Sequence, residues 1–355
     1  MTDILEKKNI ILGISGGIAA YKSVELLRLL IKQGADVRVL MTRNACRFVG
    51  PLTFEALSGK AVCTHLFQEG QNASIGHIEW AKDAAAVIVA PATANIIGKM
   101  AGGIADDALT TFLLAVTAPI LVCPSMNTDM YQSPAVQRNL SVLEKDGHFI
   151  LSPDSGALAC GVTGPGRLPD PEEILDRLIS VMCPQDLSGK QVLVTAGPTQ
   201  EPMDPVRFLS NPSSGKMGYA VARAAQQRGA LVTLISGPTS LQDPTGIKVI
   251  RIQTAAQMAS AVFEHFEEMD IIVKSAAVSD YRPEKATTEK MKKEKNEMVL
   301  NLVRNQDILA EAGQRKGDRF LVGFAAETEA LDQNASKKLH KKNLDMIVGN
   351  IVKGE

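Results

Sequence analysis

The stretch NIILGISGGIAAYKSVELLRLLIKQGADVRVLMT, residues 9–42, decides how the N-terminal half is built. Asn9 to Ser15 is an apolar, β-like run, and Gly16-Gly17 then opens a segment in which Ile18, Tyr21, Val24, Leu27 and Leu30 recur at helical spacing. Gly34 stops that helix, and Asp36 to Thr42 supplies a second β-like run. Strand, glycine turn, helix and strand make one βαβ unit, and such a unit implies a parallel sheet.

Outward from this unit the same alternation continues. Further core strands are expected at Ala85 to Ala90 and Pro119 to Cys123, with helices at Asp106 to Val116 and Pro134 to Asp146. Ser152 to Asp170, rich in Gly and Pro, reads as a functional loop because it carries Cys160; helix resumes at Pro171. The polar stretch Cys183 to Lys190 precedes a fresh strand, Gln191 to Thr195, and the domain boundary is placed there, giving units 1–185 and 190–355. Beyond it ARAAQQRGALVTLISG, residues 222–237, echoes LRLLIKQGADVRVLMT, residues 27–42: helix, glycine stop, β-run. Later β-like runs are Asp270 to Lys274, Met298 to Val303, Phe320 to Gly323 and Asp345 to Val348. The expected class is α/β, with two doubly wound, mainly parallel sheets.

Composition narrows the function. A length of 355 residues suits two domains, and 45% hydrophobic with 22% charged residues is ordinary for globular proteins. A formal net charge of -1 without a long basic run predicts no nucleic acid partner. No apolar run reaches the roughly 18 residues of a membrane span, and the N-terminus lacks a signal-peptide core, so a cytoplasmic location is expected. The five cysteines contain no Cys-x-x-Cys pair, which fits reduced thiols better than disulfides or a zinc site.

The first glycine turn reads either as tight packing alone or as a phosphate seat at a helix N-terminus. Gly13-Ile14-Ser15-Gly16-Gly17 lacks the G-x-G-x-x-G spacing, and the second strand ends in Thr42-Arg43 rather than an acid for a ribose hydroxyl, which disfavours NAD. Ser15, Gly16, Gly17, Thr42 and Thr93 suit a flavin mononucleotide, FMN, instead.

SGGIAAYK (Ser15 to Lys22), GHIEW (Gly76 to Trp80), APATAN (Ala90 to Asn95), PSMN (Pro124 to Asn127) and ACGVTGPGR (Ala159 to Arg167) resemble phosphopantothenoylcysteine decarboxylases. TAGPTQEP (Thr195 to Pro202), DPVRFLSNPSSGKMG (Asp204 to Gly218), AAVSDYRP (Ala276 to Pro283), EKMKK (Glu289 to Lys293) and GFAAET (Gly323 to Thr328) are similar to phosphopantothenate–cysteine ligases. Their fusion in this order is the bacterial arrangement in coenzyme A biosynthesis. The resemblance implies a flavoprotein-type Rossmann-like N-terminal domain and a Rossmann-like ligase domain. In the family the chain continues for several tens of residues beyond Glu355 and completes the ligase domain, so a truncated C-terminal end is expected. It also implies a homo-oligomer built from trimers, extending in some members to dodecamers.

The resemblance assigns roles that the residues alone leave open. His77, otherwise a surface or core histidine, becomes the acid/base or substrate-thiol contact of the oxidative step. Asn127, otherwise a turn or cap residue, holds the substrate carboxylate. Cys160, otherwise an inert thiol, becomes the proton donor on a substrate flap. In this reading hydride leaves the carbon bearing sulfur for FMN, which creates an electron sink for decarboxylation. For the ligase, 4'-phosphopantothenate attacks CTP, with Mg2+ assisting, and L-cysteine then takes the acyl group. Asn211, otherwise part of a helix N-cap, stabilises the acyl-cytidylate, and Lys290, otherwise a residue of a solvated charged run, neutralises the reacting phosphate. Asp280, Lys290, Asn305, Gln306, Asp307, Ile308, Phe324, Lys338 and Lys342 match the family's CTP contacts, Lys338 and Lys342 sharing a helical face at i and i+4. Two other readings compete. A flavin-dependent cysteine decarboxylase acting on peptides shares the N-terminal motifs but lacks the ligase half, whereas a nonenzymatic nucleotide-binding regulator could dispense with flap and lysines.

Overall fold

The computed structural model describes residues 4–65, 79–157, 161, 163–291 and 298–351. The chain divides into two compact units, Met1–Pro184 and Gln185–Glu355.

In the first unit β1 (Asn9–Ile14), β2 (Asp36–Met41), β3 (Ala86–Ala92), β4 (Ile120–Pro124) and β5 (Phe149–Ile150) form a parallel sheet in the order β2-β1-β3-β4-β5. Side chains alternate across it, as strand geometry requires. Ile10, Leu12 and Ile14 of β1 join one core cluster with Leu26, Leu27 and Leu30 of the helix Lys22–Lys32. Ile11 joins the opposite cluster with Val87, Val89, Phe112 and Val122. Chain order reverses between β1 and β3, and the cleft beyond the carboxyl ends of strands at such a switch point is where doubly wound sheets bind ligands.

Two details depart from expectation. Ile18 and Tyr21 do not continue the core stripe of the helix: they lie on a single 3-10 turn, Ile18–Tyr21, and are 62% and 57% exposed. The glycine-rich stretch is not wholly a loop, because β6 (Asp154–Ala157) and β7 (Thr163–Arg167) pair antiparallel within it. Gly166, at φ 141°, lets this hairpin dock on the end of β4, where a Cβ would stand 2.1 Å from the Met126 carbonyl oxygen. The Met126 N–H donates to the Gly166 carbonyl at 3.0 Å.

In the second unit β8 (Gln191–Ala196) is followed by a small antiparallel pair, β9 (Gln200–Pro202) and β10 (Phe208–Ser210). β8, β11 (Leu231–Ser236), β12 (Lys248–Arg251) and β13 (Ile271–Lys274), with two later strands, form a parallel six-stranded sheet. The later strands are β16 (Phe320–Glu327) and β17 (Met346–Ile351), following a hairpin of β14 (Tyr281–Pro283) and β15 (Leu302–Arg304). The sheet order β12-β11-β8-β13-β16-β17 is the doubly wound 3-2-1-4-5-6 pattern, with its switch point between β8 and β13. The strand expected at Met298 to Val303 is therefore corrected: only Leu302–Arg304 pairs, antiparallel and outside the main sheet. Met298 and Val299 are 55% and 90% exposed, so this segment lacks the two-sided burial a central parallel strand needs. β12 has no counterpart among the expected strands; its alternation is masked by Lys248 and Arg251 at either end. No described helix is long and apolar enough to cross a membrane.

Phe112 is fully buried, whereas Leu114 on the same helix, Ala108–Ala115, is 57% exposed. Phe112→Ala is expected to cost about 3–5 kcal/mol of unfolding free energy, and Leu114→Ala less than about 0.5 kcal/mol. Urea titrations followed through Trp80, the chain's single tryptophan and a neighbour of the same core cluster, check both values.

Candidate active sites

A cavity of about 900 Å³ opens at the carboxyl ends of the first sheet's strands. Ser15, Gly16 and Gly17 after β1, Thr42 and Asn44 after β2, Thr93 after β3 and Asn127 after β4 all line it, so the five cofactor candidates share one site. The first strand-to-helix turn is closely packed. Ser15 Oγ donates to the Pro91 carbonyl at 2.7 Å and accepts from the Thr93 N–H at 2.9 Å, which ties the β1 and β3 ends together. A Cβ at Gly16 would lie 2.4 Å from Asn44 Cβ, so only glycine admits this approach of the two turns. Thr42 Oγ1 accepts from the Ala45 N–H at 3.2 Å. No side-chain cap bond is made to the helical turn after Gly17, and Gly17, Ile18 and Ala19 line the cavity, an arrangement compatible with an anion at this turn. The outward Ile18 and Tyr21 also line the cavity, so their exposure serves the site rather than the core.

Asn127 is a helix cap, as one reading of the sequence had it: Oδ1 accepts from the Asp129 N–H at 2.9 Å and the Met130 N–H at 3.4 Å. These bonds fix the plane of its amide at the cavity wall. Ala157, Gly166 and Arg167 bring the β6–β7 hairpin to the same wall. The buried Lys22 anchors the chain beyond the hairpin, its ammonium donating to the Leu168 carbonyl at 2.9 Å and Asp170 Oδ1 at 2.8 Å. His77 and Cys160 lie outside the described residues.

A second cavity, of about 480 Å³, lies beside β13 and β16 in the second unit. Asp280, Asn305, Gln306, Asp307, Ile308, Phe324, Lys338 and Lys342 all line it. Asn305 is held on both sides, its backbone N–H donating to the Asp280 carbonyl at 2.8 Å and its amide to the Ser279 carbonyl at 2.8 Å. Asp307 caps the helix Ile308–Arg315 through the Ala310 N–H at 3.0 Å and pairs with Lys342 at 2.7 Å. Burial pushes its carboxyl up, but the Lys342 ammonium and the Ala310 N–H outweigh this and hold it below its ordinary range. Lys338 donates to the Phe324 carbonyl at 2.7 Å; burial, and then the Lys342 charge, lower its pKa.

The remaining ligase candidates line neither cavity among the described residues. Asn211 follows β10 and donates from its amide to the Val278 carbonyl at 3.2 Å. The N-cap of the helix Lys216–Gln227 falls in this stretch, at Gly215 with φ 75°, but no side-chain cap bond is made there and Asn211 is not the cap residue. Lys290 is exposed, on an irregular segment beyond β14.

Among the polar residues lining the second cavity, Lys274, Ser279, Tyr281 and Arg304 were not site candidates in the sequence reading. Lys274 ends β13 at the cavity floor, and desolvation lowers its pKa to about 8, with Lys342 and Lys338 adding to the effect and Asp307 and Asp280 opposing it. Its signal was available, since a lysine closing an apolar strand sits at the ligand-binding edge of a parallel sheet. The buried Ser279 Oγ has no hydrogen-bond partner among the described residues and also lines the cavity. Ser279 lies inside the AAVSDYRP motif, but the sequence reading gives it no role of its own.

Comparison with known proteins agrees with this layout. The family model described as Flavoprotein matches residues 2–182, and that described as DNA/pantothenate metabolism flavoprotein C-terminal domain matches residues 187–355. The coenzyme A biosynthesis bifunctional protein CoaBC of Bacillus subtilis is 51% identical over 99% of this chain and 87% of its own length. The protein of the same name from Escherichia coli is 47% identical over 98% of this chain and 87% of its own length. A crystal structure of the C-terminal domain of a CoaBC protein aligns at 46% identity over 46% of this chain and 78% of that one, with a TM-score of 0.42. With both halves matched in order by one kind of protein, the chain belongs to the family of coenzyme A biosynthesis bifunctional flavoproteins.

Proposed function

We propose that the chain makes 4'-phosphopantetheine in two steps, ligating 4'-phosphopantothenate to L-cysteine with CTP in its second unit and decarboxylating the product with FMN in its first. The observation that carries this is the second cavity. Every position matched to the family's CTP contacts except Lys290 lines one concave site, where Lys274, Lys338 and Lys342 face a space suited to polyanion binding.

The first cavity fits FMN in size and donor set. Its volume lies in the range of pockets for ligands of that bulk. The turn Ser15-Gly16-Gly17 lines the cavity ahead of a helical turn, with Thr42 and Thr93 beside it, a setting suited to a phosphate. FMN supplies a reversible hydride acceptor, the chemistry that a cysteine carboxylate needs in order to lose carbon dioxide. The chain's own residues do the rest. Asn127, its amide plane fixed by the cap bonds, orients the substrate carboxylate, and the β6–β7 hairpin excludes water at the wall. In this reading His77 moves the substrate's thiol proton and Cys160 returns a proton to the product carbon.

In the second unit a carboxylate must first be activated, so 4'-phosphopantothenate attacks the α-phosphorus of CTP and pyrophosphate leaves. Lys290 neutralises charge growing there, while Lys274, Lys338 and Lys342 hold the triphosphate. Asp307 is taken by Lys342, so Asp280 is the cavity carboxylate offered to Mg2+ arriving with the nucleotide. Asn211 then steadies the acyl-cytidylate until the cysteine amine displaces CMP.

The direct test is to record the visible spectrum of the purified protein and supply 4'-phosphopantothenate, cysteine and CTP while following products by mass. A flavin spectrum with formation of 4'-phosphopantetheine, CMP and pyrophosphate is expected. A colourless protein, or one that leaves CTP intact, overturns the reading.

Lys290→Gln should slow acyl-cytidylate formation by about 10²-fold, the scale of a lost preorganised charge. Asn211→Asp should instead let the intermediate form and impair its reaction with cysteine. Quenched-flow analysis separates the two steps, and normal intermediate formation in the Lys290 variant removes its assigned role.

Lys274→Met should weaken CTP binding about 10-fold or more, as expected for loss of a charge-assisted contact. It should also stabilise the second unit. With a folded pKa of about 8 against 10.5 unfolded, the ammonium's burial cost is fully present below pH 8 and disappears as pH rises toward 10.5. The substitution is therefore expected to gain up to about 3 kcal/mol at pH 7 and little at pH 10.5, measured by urea titration at both pH values.

A further inference from the structure

Asp204 is a buried charge that neither proposed step uses; its side chain has no exposed surface. Its carboxylate is heavily engaged. Oδ1 accepts the Val206 and Arg207 N–H groups, both at 2.8 Å. Oδ2 accepts Arg207 Nε at 2.9 Å, Arg207 Nη2 at 2.6 Å and the Met291 N–H at 3.1 Å. Side-chain bonding from Arg207, followed by the three backbone N–H groups, holds the carboxyl far below its usual range against the opposing effect of burial. Arg207 Nη2 also donates to the Met291 carbonyl at 2.9 Å. Both backbone polar groups of Met291 are thus gripped by one ion pair that belongs to a turn more than eighty residues earlier.

The position of this grip gives it meaning. Met291 directly follows Lys290, on a segment without regular secondary structure after β14. The same segment is tied once more, through the Thr287 N–H to the Met203 carbonyl at 3.0 Å. On the other side the turn 204–207 leads directly into β10 and Asn211. One buried carboxylate therefore fastens the segment bearing Lys290 to the turn that leads to Asn211. Asp204, Arg207 and Met291 all lie outside the strands and helices of the main sheet, on a turn and an irregular segment.

We infer that Asp204 and Arg207 are positioning residues for the ligase step, acting through Met291 to hold the Lys290 backbone where its ammonium meets the reacting phosphate. The inference rests on the proposed role of Lys290. Its physical basis is preorganisation: a flexible lysine on an unanchored segment must be ordered anew at every turnover, and misplacement by an ångström costs rate on the order of 10²-fold.

The test is a double-mutant cycle in the full chain. Asp204→Asn keeps the shape but sets an amide N–H2 against the N–H donors of the turn, or of Arg207 and Met291. It should slow acyl-cytidylate formation about 10- to 10²-fold at saturating CTP, with CTP affinity within about threefold of the parent. In a Lys290→Gln background the same change should add little further loss, because the group being positioned is already gone. Arg207→Lys, which keeps the charge but cannot span Asp204 and the Met291 carbonyl together, should show the same non-additivity and serves if Asp204→Asn does not fold. Decarboxylation of supplied phosphopantothenoylcysteine should be unaffected in both variants. Independent, multiplicative losses in the double variants overturn the inference, as does an equal fall in CTP affinity and rate accompanied by a lowered melting temperature. A normal rate in Lys290→Gln alone defeats the parent reading, whereas a slow Lys290→Gln with a normal Asp204→Asn defeats only this inference.

Discussion

Parallel strand pairing is the constraint from which both candidate sites follow. A parallel neighbour can be reached only by a crossover that returns the chain to the starting edge, so every strand of such a sheet ends on the same side. In the first unit β1, β2, β3 and β4 deliver Ser15, Thr42, Thr93 and Asn127 to one cavity in this way. In the second, β13 and β16 deliver Lys274 and Phe324 to another. Residues scattered over a hundred positions meet because the sheet's direction leaves them nowhere else to end.

The two cavities solve different problems. The first sets backbone, hydroxyl and amide groups, at turns that pack too closely for a side chain at Gly16, among the charged side chains of Lys22, Arg43, Lys99, Arg167 and Asp107, which suits a large ligand with an anionic end. The second gathers three ammonium groups and two carboxylates in partly buried surroundings, which suits a polyanion. That concentration of charge has a cost in folding free energy, borne most plainly by Lys274 at the end of an otherwise apolar strand. Well-packed clusters on both faces of the second sheet offset it.

Much of the architecture was legible because the core strands are apolar runs between glycine stops, and because residues 222–237 repeat the pattern of 27–42. What misled was apolar character serving something other than a core. Ile18 and Tyr21 fit the helical stripe but face a cavity, and Met298 to Val303 looks β-like but is largely exposed, pairing only at Leu302–Arg304. The positions proposed as nucleotide contacts were picked out by motif resemblance, and all but Lys290 line one cavity. Asp204 was invisible in another way. An acidic residue in a polar, Pro-containing stretch carries no sign that it will be buried, nor that its partner lies near position 291, because that pairing depends wholly on tertiary structure. Lys274 differs, since its place at the end of an apolar strand was a readable signal, and Ser279 lies inside the AAVSDYRP motif; only their burial beside the cavity needed the tertiary structure.

The crowding of Lys274, Lys338 and Lys342 around Asp280 and Asp307 leaves the second cavity with a net positive charge before any ligand enters. Dissolved salt then acts on it in opposite senses. Counter-ions relieve repulsion among the three ammonium groups and steady the empty unit, while the same screening weakens the pull on an incoming triphosphate. The cavity's net charge thus sets ionic strength as a dial that exchanges resting stability for nucleotide capture, and the partial burial of Lys274 and Lys338 keeps part of each effect beyond the reach of bulk ions.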